Sequence, residues 1–402
     1  MKKILIVSQY FDPETFKVND IAYYLSSKGY EVHVIAGIPN YPKGRYFDGY
    51  GLFSKRRETK NGVRMYRTFQ TPRGKASGIL LSLNYLSFAF FASIVAFFKA
   101  LFNNYDAVFV HETSPVTQGI PAVLVKRLKR IPLYFWVLDL WPESLEAAGG
   151  IHNKHVLGMF TRLVRHIYKH SDKILISSNG FRESILQKGD FSDKIIYFPN
   201  WGEDVFKSES TAILPPLPSG FRVVFAGNIG SAQDFPAIMQ AALENKEQTN
   251  IQWIIAGDGR EKSWVDDFIS KNHLESTVTM LGRLPLESMP ALFSQADVLL
   301  VALKDEPIFA LTLPAKVQAY MASGKPIVAM LNGEGSDVIK NADCGYSVNS
   351  GDSHALAVLL RDLTGRKKEL AEKGLNGKTF FDKHFSKEHC LENLINILEN
   401  NG

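Results

Sequence analysis

Short, unbroken apolar runs recur along this chain, separated by stretches long enough to hold a helix. KILIVS at residues 3–8, EVHVIA at 31–36, AVFV at 107–110, LYFWVL at 133–138 and KILIS at 173–177 belong to the first half, with a further strand over 194–198. RVVFA at 222–226, IQWIIA at 251–256, VTML at 278–281 and VLLVAL at 298–303 belong to the second. Strands that are apolar on both faces need cover on both faces, which antiparallel meanders do not provide and parallel sheets with helices on either side do. The pattern therefore predicts an α/β fold of doubly wound parallel sheets.

The chain has 402 residues, too many for one such sheet and enough for two domains of roughly 200 residues each. The alternation pauses once, over residues 202–220, where serine, charge and Pro215, Pro216 and Pro218 give a linker composition. Residues 1–200 are expected to form one Rossmann-like domain, 201–220 the linker and 221–384 the second domain. An amphipathic helix over about 385–402 is expected to pack back on the first. Lys and Arg outnumber Asp and Glu by 27 to 15 up to residue 200, and the rest of the chain is acidic, 19 against 26. A basic domain suits an anionic membrane surface; nucleic acid is not expected, because no binding motif or basic-aromatic interleaving accompanies the charge. Cys344 and Cys390 are far apart, so neither a disulfide framework nor a zinc site is expected.

Two segments stand out in the basic half. Residues 37–51, GIPNYPKGRYFDGYG, make a long loop whose Asn40, Tyr41 and other aromatic groups suit contacts to a sugar or a lipid head, or simply staple the loop to itself. Residues 76–98 run 23 positions without a charge and are long enough to cross a bilayer, yet strands precede and follow them on what must be one side. The expected solution is a helix or broken pair with one face on the sheet and another, including Phe88 and Phe91, dipping into a lipid interface; a wholly buried core helix is the alternative.

Polar chemistry is concentrated where strands end. After 107–110 come His111, Glu112 and Thr113; after 133–138 come Asp139, Trp141 and Glu143. Doubly wound sheets place their ligand crevice at these carboxyl ends. In the second half three strand ends carry glycine instead: Gly227-Asn228-Ile229-Gly230, Gly257-Asp258-Gly259 and Gly282-Arg283. Glycine lets a ligand approach the backbone closely. The stretch 297–328 is expected to be a strand, a loop, a short helix capped by Thr312 with Pro314 and Lys316 in its first turn, and another strand, a natural seat for phosphate. No G-x-G-x-x-G follows the first strand, which argues against a nicotinamide dinucleotide.

The glycine turns, LGRLP at 281–285 and YMASGKPIVA at 320–329, taken together over essentially the whole chain, resemble the family-4 glycosyltransferases of GT-B architecture. NYPKG, DLWPES, AGNIGSAQ and FALTLPAKVQAYMASGKP are similar to its fucosaminyltransferase branch, which serves bacterial O-antigen and capsule assembly. The resemblance implies two Rossmann-like domains facing a central cleft, the first binding the acceptor and the second a UDP-sugar. It implies retaining transfer to an undecaprenyl-diphosphate-linked saccharide, with no metal or other cofactor, by a cytoplasmic protein attached peripherally to the inner face of the cytoplasmic membrane. Donor contacts would come from Gly227, Asn228, Gln233, Gly257, Arg283, Thr312, Lys316 and Glu334, with the Thr312 to Lys316 loop around the diphosphate. His111, Asp139 and Glu306 would be the catalytic candidates; Asn40, Tyr41, Glu112, Trp141, Glu143, Phe88 and Phe91 would meet acceptor or membrane. The family's two glutamates, with seven residues between them, map onto Leu311 and Ala319, and its Arg and Lys after the domain's first strand map onto Asn228 and Gln233. Four charges are thus missing. A sugar-nucleotide 2-epimerase of the same architecture, or a non-catalytic sugar-nucleotide or lipid-binding component, also fits the sequence.

Overall fold

A computed structural model describes residues 2–75, 77–147, 150–208 and 212–400. Ala76, the first residue of the apolar run, and residues 209–211 of the expected linker lie outside the described residues. The chain divides into two compact units, one of residues 1–200 with 391–402, the other of 201–390.

The first unit is built on β1 (Lys3–Val7), β2 (Glu31–Gly37), β3 (Arg57–Lys60), β4 (Val63–Thr68), β5 (Ala107–Glu112), β6 (Leu133–Val137), β7 (Lys173–Ile176) and β8 (Ile195–Tyr197). Their order is β3-β4-β2-β1-β5-β6-β7-β8. All neighbours are parallel except the β3–β4 hairpin at the edge. That hairpin turns on Asn61-Gly62, both at positive φ, the backbone a two-residue turn requires. The order reverses between β1 and β5, so this unit's crevice lies where those two strands end. The C-terminal helix joins this unit: the Tyr30 hydroxyl donates to Glu399 at 2.7 Å.

The helices that matter here are α1 (Lys17–Ser27), α2 (Gly78–Phe102), α3 (Gly119–Lys129), α4 (Glu143–Ala147) and α5 (Lys154–His170). The apolar run forms α2 as one continuous helix, neither a broken pair nor a buried core helix. It turns Asn84, Phe88, Ala92, Ala96 and Ala100 inward, one every fourth residue, and leaves Ile79, Leu83, Leu86, Phe90, Ile94 and Phe98 exposed. Small side chains on the inner seam let the helix lie close to its neighbours, while the large ones point out. Phe88, expected to face outward, is fully buried because it falls on the inner seam; Phe91 is partly exposed and packs edge-on against Phe69 and Phe90.

The second unit has β9 (Phe221–Ala226), β10 (Ile251–Ala256), β11 (Val278–Gly282), β12 (Val298–Ala302), β13 (Ile327–Met330) and β14 (Gly345–Val348), ordered β11-β10-β9-β12-β13-β14 and parallel throughout. Its reversal lies between β9 and β12. Part of the stretch with linker composition belongs to this unit: Trp201 is buried, and Phe206 stacks on Phe293 with ring centroids 5.8 Å apart.

Candidate active site

At the β9/β12 switch point of the second unit lies a cavity of about 600 Å³. Three glycine turns make its floor. Gly227, at φ 140°, donates its N–H to Ala256 O at 2.9 Å, and Gly257 donates to Gly282 O at 2.8 Å. A Cβ at Gly257 would sit 1.9 Å from Gly227 O, and one at Gly227 would sit 2.7 Å from Lys316 Cε. The turns interlock through backbone alone; a side chain at Gly257 would collide with backbone and one at Gly227 with the Lys316 side chain, so glycine lets the turns and Lys316 close up on one another.

Lys316 lies in the first turn of the Ala315–Ala322 helix and points into this floor. Its amine is buried, has no hydrogen-bond partner and lies 3.6 Å from the centroid of the Phe225 ring. Burial without a counter-charge pushes it down to about 7 from its ordinary 10.5. An orphaned buried amine at a helix N-terminus is an arrangement completed by an anion. Ala315, Ala319 and Tyr320 share the wall, Phe206 and Phe293 close the apolar side, and exposed Arg283 stands at the rim with Asn228. The carboxylate expected at position 319 is therefore missing from the lining itself, and among the described residues no Asp or Glu other than Asp258 lines the cavity.

The other expected donor residues lie outside this lining. Thr312 does not cap the Lys316 helix; it closes the preceding Pro307–Leu311 helix by donating to Ile308 O at 2.9 Å, because Pro314 occupies the cap position. Gln233 ends a single 3₁₀ turn, half-buried. Glu306, expected to be catalytic, is exposed beside the Pro307–Leu311 helix and does not line the cavity either. Glu334 is buried as the first residue of the Glu334–Asn341 helix.

The first unit carries its polar groups at the β1/β5 switch point. His111 and Glu112 end β5, both buried. The Ser8 hydroxyl lies 3.3 Å from His111 Nδ1, Trp136 and Phe16 rings flank the imidazole, and Nε2 has no partner. Burial pushes His111 down to about 3, so it is neutral at ordinary pH. Glu112 is pushed well above the usual carboxylate range by burial and then by the nearby charge of Asp139; the N–H groups of Leu138 and Asp139 pull weakly the other way without forming good hydrogen bonds to its oxygens.

Asp139 organises its loop: Trp141 Nε1 donates to it at 3.2 Å and the Ser144 hydroxyl donates to its other oxygen. Burial raises its carboxyl in spite of these bonds. Glu143 pairs with Lys188 and accepts from Ser184 at 2.6 Å, which ties α4 to the Phe181–Gln187 helix. Asn40 is buried and spans its own loop, accepting from Arg73 N–H at 3.2 Å and donating to Ile38 O at 3.1 Å. Tyr41 is exposed, its ring tilted against those of Tyr10 and Phe16 and covered by the Arg73 guanidinium.

Two groups escaped the sequence reading. Glu14 is buried and accepts N–H bonds from Phe11, Asn40 and Tyr41 at 3.3, 2.8 and 2.7 Å, holding the long loop onto the β1 end; burial raises it to about 7. Gln9 donates to Asn84 Oδ1 at 2.7 Å, and Asn84 donates to Thr71 O at 2.5 Å, so the one amide in α2 pins that helix beside the crevice. An amide alone inside an apolar helix was the available signal for the second; a loop glutamate gave none for the first.

Residues 16–201 match the family described as Glycosyl transferase 4-like domain, and residues 220–365 match Glycosyl transferases group 1. The chain belongs with the GT-B glycosyltransferases. It is similar to the Probable glycosyltransferase WbjE of Pseudomonas aeruginosa, 29% identical over 60% of this chain and 64% of that one, so it spans just under two thirds of that relative. The Putative colanic acid biosynthesis glycosyl transferase WcaI of Escherichia coli is 23% identical over 80% of this chain and 81% of its own. Among solved structures, Anabaena HepE in complex with UDP superposes with a TM-score of 0.69 at 15% identity, covering 100% of both chains. Both sheets thus have the Rossmann-like arrangement of the GT-B fold.

Proposed function

We propose that this glycosyltransferase moves a sugar from a UDP-sugar to an undecaprenyl-diphosphate-linked saccharide during assembly of a surface polysaccharide, with retention and without a metal ion. The observation that carries the reading is Lys316, an unpaired buried amine at a helix N-terminus on the floor of a glycine-lined cavity. A UDP diphosphate is the anion that arrangement suits, and HepE, with its matching fold, was solved with UDP. The naming of WcaI for colanic acid biosynthesis supports a polysaccharide product, and the motif resemblance points to the fucosaminyltransferase branch and an N-acetylated deoxyamino sugar.

In retaining transfer, the leaving diphosphate and the incoming hydroxyl share one face of the sugar. Positive charge grows on the anomeric carbon and negative charge on the departing phosphate. Lys316, the free N–H groups of its helix and Arg283 address that phosphate, the kind of electrostatic stabilisation that commonly supplies the largest catalytic contribution. Neutral His111 can accept a hydrogen bond at Nε2 from a hydroxyl of the sugar or acceptor, because the Ser8 hydroxyl donates to Tyr10 O and so leaves the ring proton on Nδ1. Since Asp139 already holds its loop together, its part is to position the acceptor crevice. The exposed apolar face of α2 on a basic unit supports peripheral attachment to the inner membrane.

The test is UDP release from a panel of UDP-sugars, with and without a short prenyl-diphosphate-linked N-acetylamino sugar and with and without EDTA. Acceptor-dependent, EDTA-insensitive release that falls by about 10²-fold or more in Lys316→Ala and His111→Ala is expected. UDP binding with no release from any donor would overturn the transferase reading.

A further inference from the structure

The first unit holds a second cavity of about 600 Å³, within the size range of small-molecule sites. It runs under the N-terminal half of α2, between that helix and α5. Tyr85 and Leu86 of α2 face Met159 and Phe160 of α5 across it. Its inner end is polar: Asp139 reaches it, as does Thr117, a 2% exposed residue whose hydroxyl has no hydrogen-bond partner. That inner end lies at the loops following β5 and β6, where Asp139 is near enough to Glu112 for its charge to act on that carboxyl.

The outer end is apolar and open. Leu86 and Met159 line the cavity and are also 57% and 55% exposed, so the lining passes without a break into the outward stripe of α2. The surroundings are basic. Helix α5, KHVLGMFTRLVRHIYKH, has no acidic residue, and α3, which packs between α2 and α5, ends in Lys126, Arg127 and Lys129. A surface that combines protruding aromatics with an excess of positive charge, of which Lys126 is paired with Asp172, matches an anionic bilayer better than it matches a protein partner, whose interface core would exclude the charge. A cavity polar at its reactive end and apolar towards that surface matches an amphiphile lying partly in the bilayer.

We propose that this cavity takes the apolar chain of the lipid-linked acceptor, the isoprene units nearest its diphosphate, drawn from an anionic membrane on which the outward face of α2 lies. This assignment rests on the acceptor class proposed above. It gives α2 two tasks on adjoining faces: the stripe from Ile79 to Phe98 enters the lipid, and the edge bearing Tyr85 and Leu86 guides one lipid out of it. The saccharide then emerges at the polar end, by the strand ends of β5 and β6.

The experiment uses the full chain and a benzophenone-tagged farnesyl diphosphate, photocrosslinked and mapped by peptide mass spectrometry, with a binding titration of the same probe. Label is expected on α2 and α5 residues that line the cavity, and binding weaker by about tenfold or more in Met159→Trp and, separately, Leu86→Trp, each of which fills the mouth from a different helix. UDP binding and the thermal midpoint report whether each variant is folded. Phe90→Asp with Phe98→Asp is expected to abolish flotation with phosphatidylethanolamine and phosphatidylglycerol vesicles while leaving cavity labelling in detergent intact. Label spread over the outward stripe and untouched by either tryptophan would overturn the assignment, as would label confined to another protein surface. Labelling in the cavity together with no acceptor-dependent UDP release would keep the lipid site and remove the transferase reading. Transfer to a prenyl-linked acceptor with no cavity labelling would do the reverse.

Discussion

The two crevices occupy equivalent places in their sheets, at β1/β5 and β9/β12, and are furnished in opposite ways. The first is crowded with side chains: Ser8, Gln9, Glu14, His111, Glu112 and Asp139 are all at or under it, most of them buried and joined to one another or to loop backbone. The second is nearly bare. Its turns are glycine, its interlocking bonds are backbone bonds, and one cationic side chain reaches its floor. A crevice made of side chains can be tuned by substitution, which suits a variable acceptor. One made of backbone fixes a shape and leaves space, which suits an invariant nucleotide diphosphate.

The sharpest way to break this contrast is to put a side chain on the bare floor. Gly257→Ala should weaken UDP binding by about a hundredfold or more in a calorimetric titration, since its Cβ falls 1.9 Å from Gly227 O and backbone must move to admit it. An unaltered UDP affinity would mean that the floor yields and that the glycines are not what shapes the site.

Lys316→Met should weaken UDP by about 10-fold to 150-fold, the loss of one charge-assisted contact. Because the amine of the free protein sits near 7, binding a diphosphate should take up a proton above that pH. UDP affinity should therefore decline as pH rises from 7 to 9 in the native protein and stay flat in the variant. Stability moves the other way. Between about 7 and 10.5 the unfolded chain holds a proton on this lysine that the folded chain lacks, so this group's contribution to unliganded stability grows as pH rises through that window.

The smallest effect belongs to the crowded crevice. At pH 5 Glu14→Gln should lower unfolding free energy by about 1 to 2 kcal/mol, because one carboxyl oxygen becomes an NH2 that cannot accept: Oε1 takes the Asn40 and Tyr41 N–H groups and Oε2 that of Phe11, so the Phe11 bond is lost. Glu14 is raised to about 7, so the native state binds its proton more tightly than the unfolded one; this group's contribution is full below about 4.5 and is lost as pH rises to 7. Denaturant melts at pH 5 and 8 should differ less in the variant than in the native protein.

The parallel sheets were legible because fully apolar runs are a strong signal. The glycine turns were legible because glycine at three successive strand ends opens space at the backbone that a packed core would fill. Lys316 was legible as a residue type in a helix's first turn. Its isolation was not, since that depends on which side chains fail to reach it across Gly227. Thr312 misled for a local reason: a threonine shortly before proline reads as an N-cap, and here it closes the preceding helix instead. Asp139, Glu143 and Asn40 look alike on the sequence as polar residues at strand ends. Only the paths of Trp141, Lys188 and Arg73 turn them into loop and helix fasteners. The β3–β4 hairpin could have been read from Asn61-Gly62, and its short, largely exposed first strand hid it.

The arrangement of α2 separates handling from folding. Its alanines and Asn84 make the contacts that hold it to the unit, and its phenylalanines, Phe88 apart, make few inward. A purified sample that clumps or demands detergent would therefore be reporting on the outer stripe and not on a weak fold. Replacing Phe90, Phe98 and Phe102 with glutamine or lysine gives a route to a detergent-free preparation whose donor cavity, in the other unit, is left as it was.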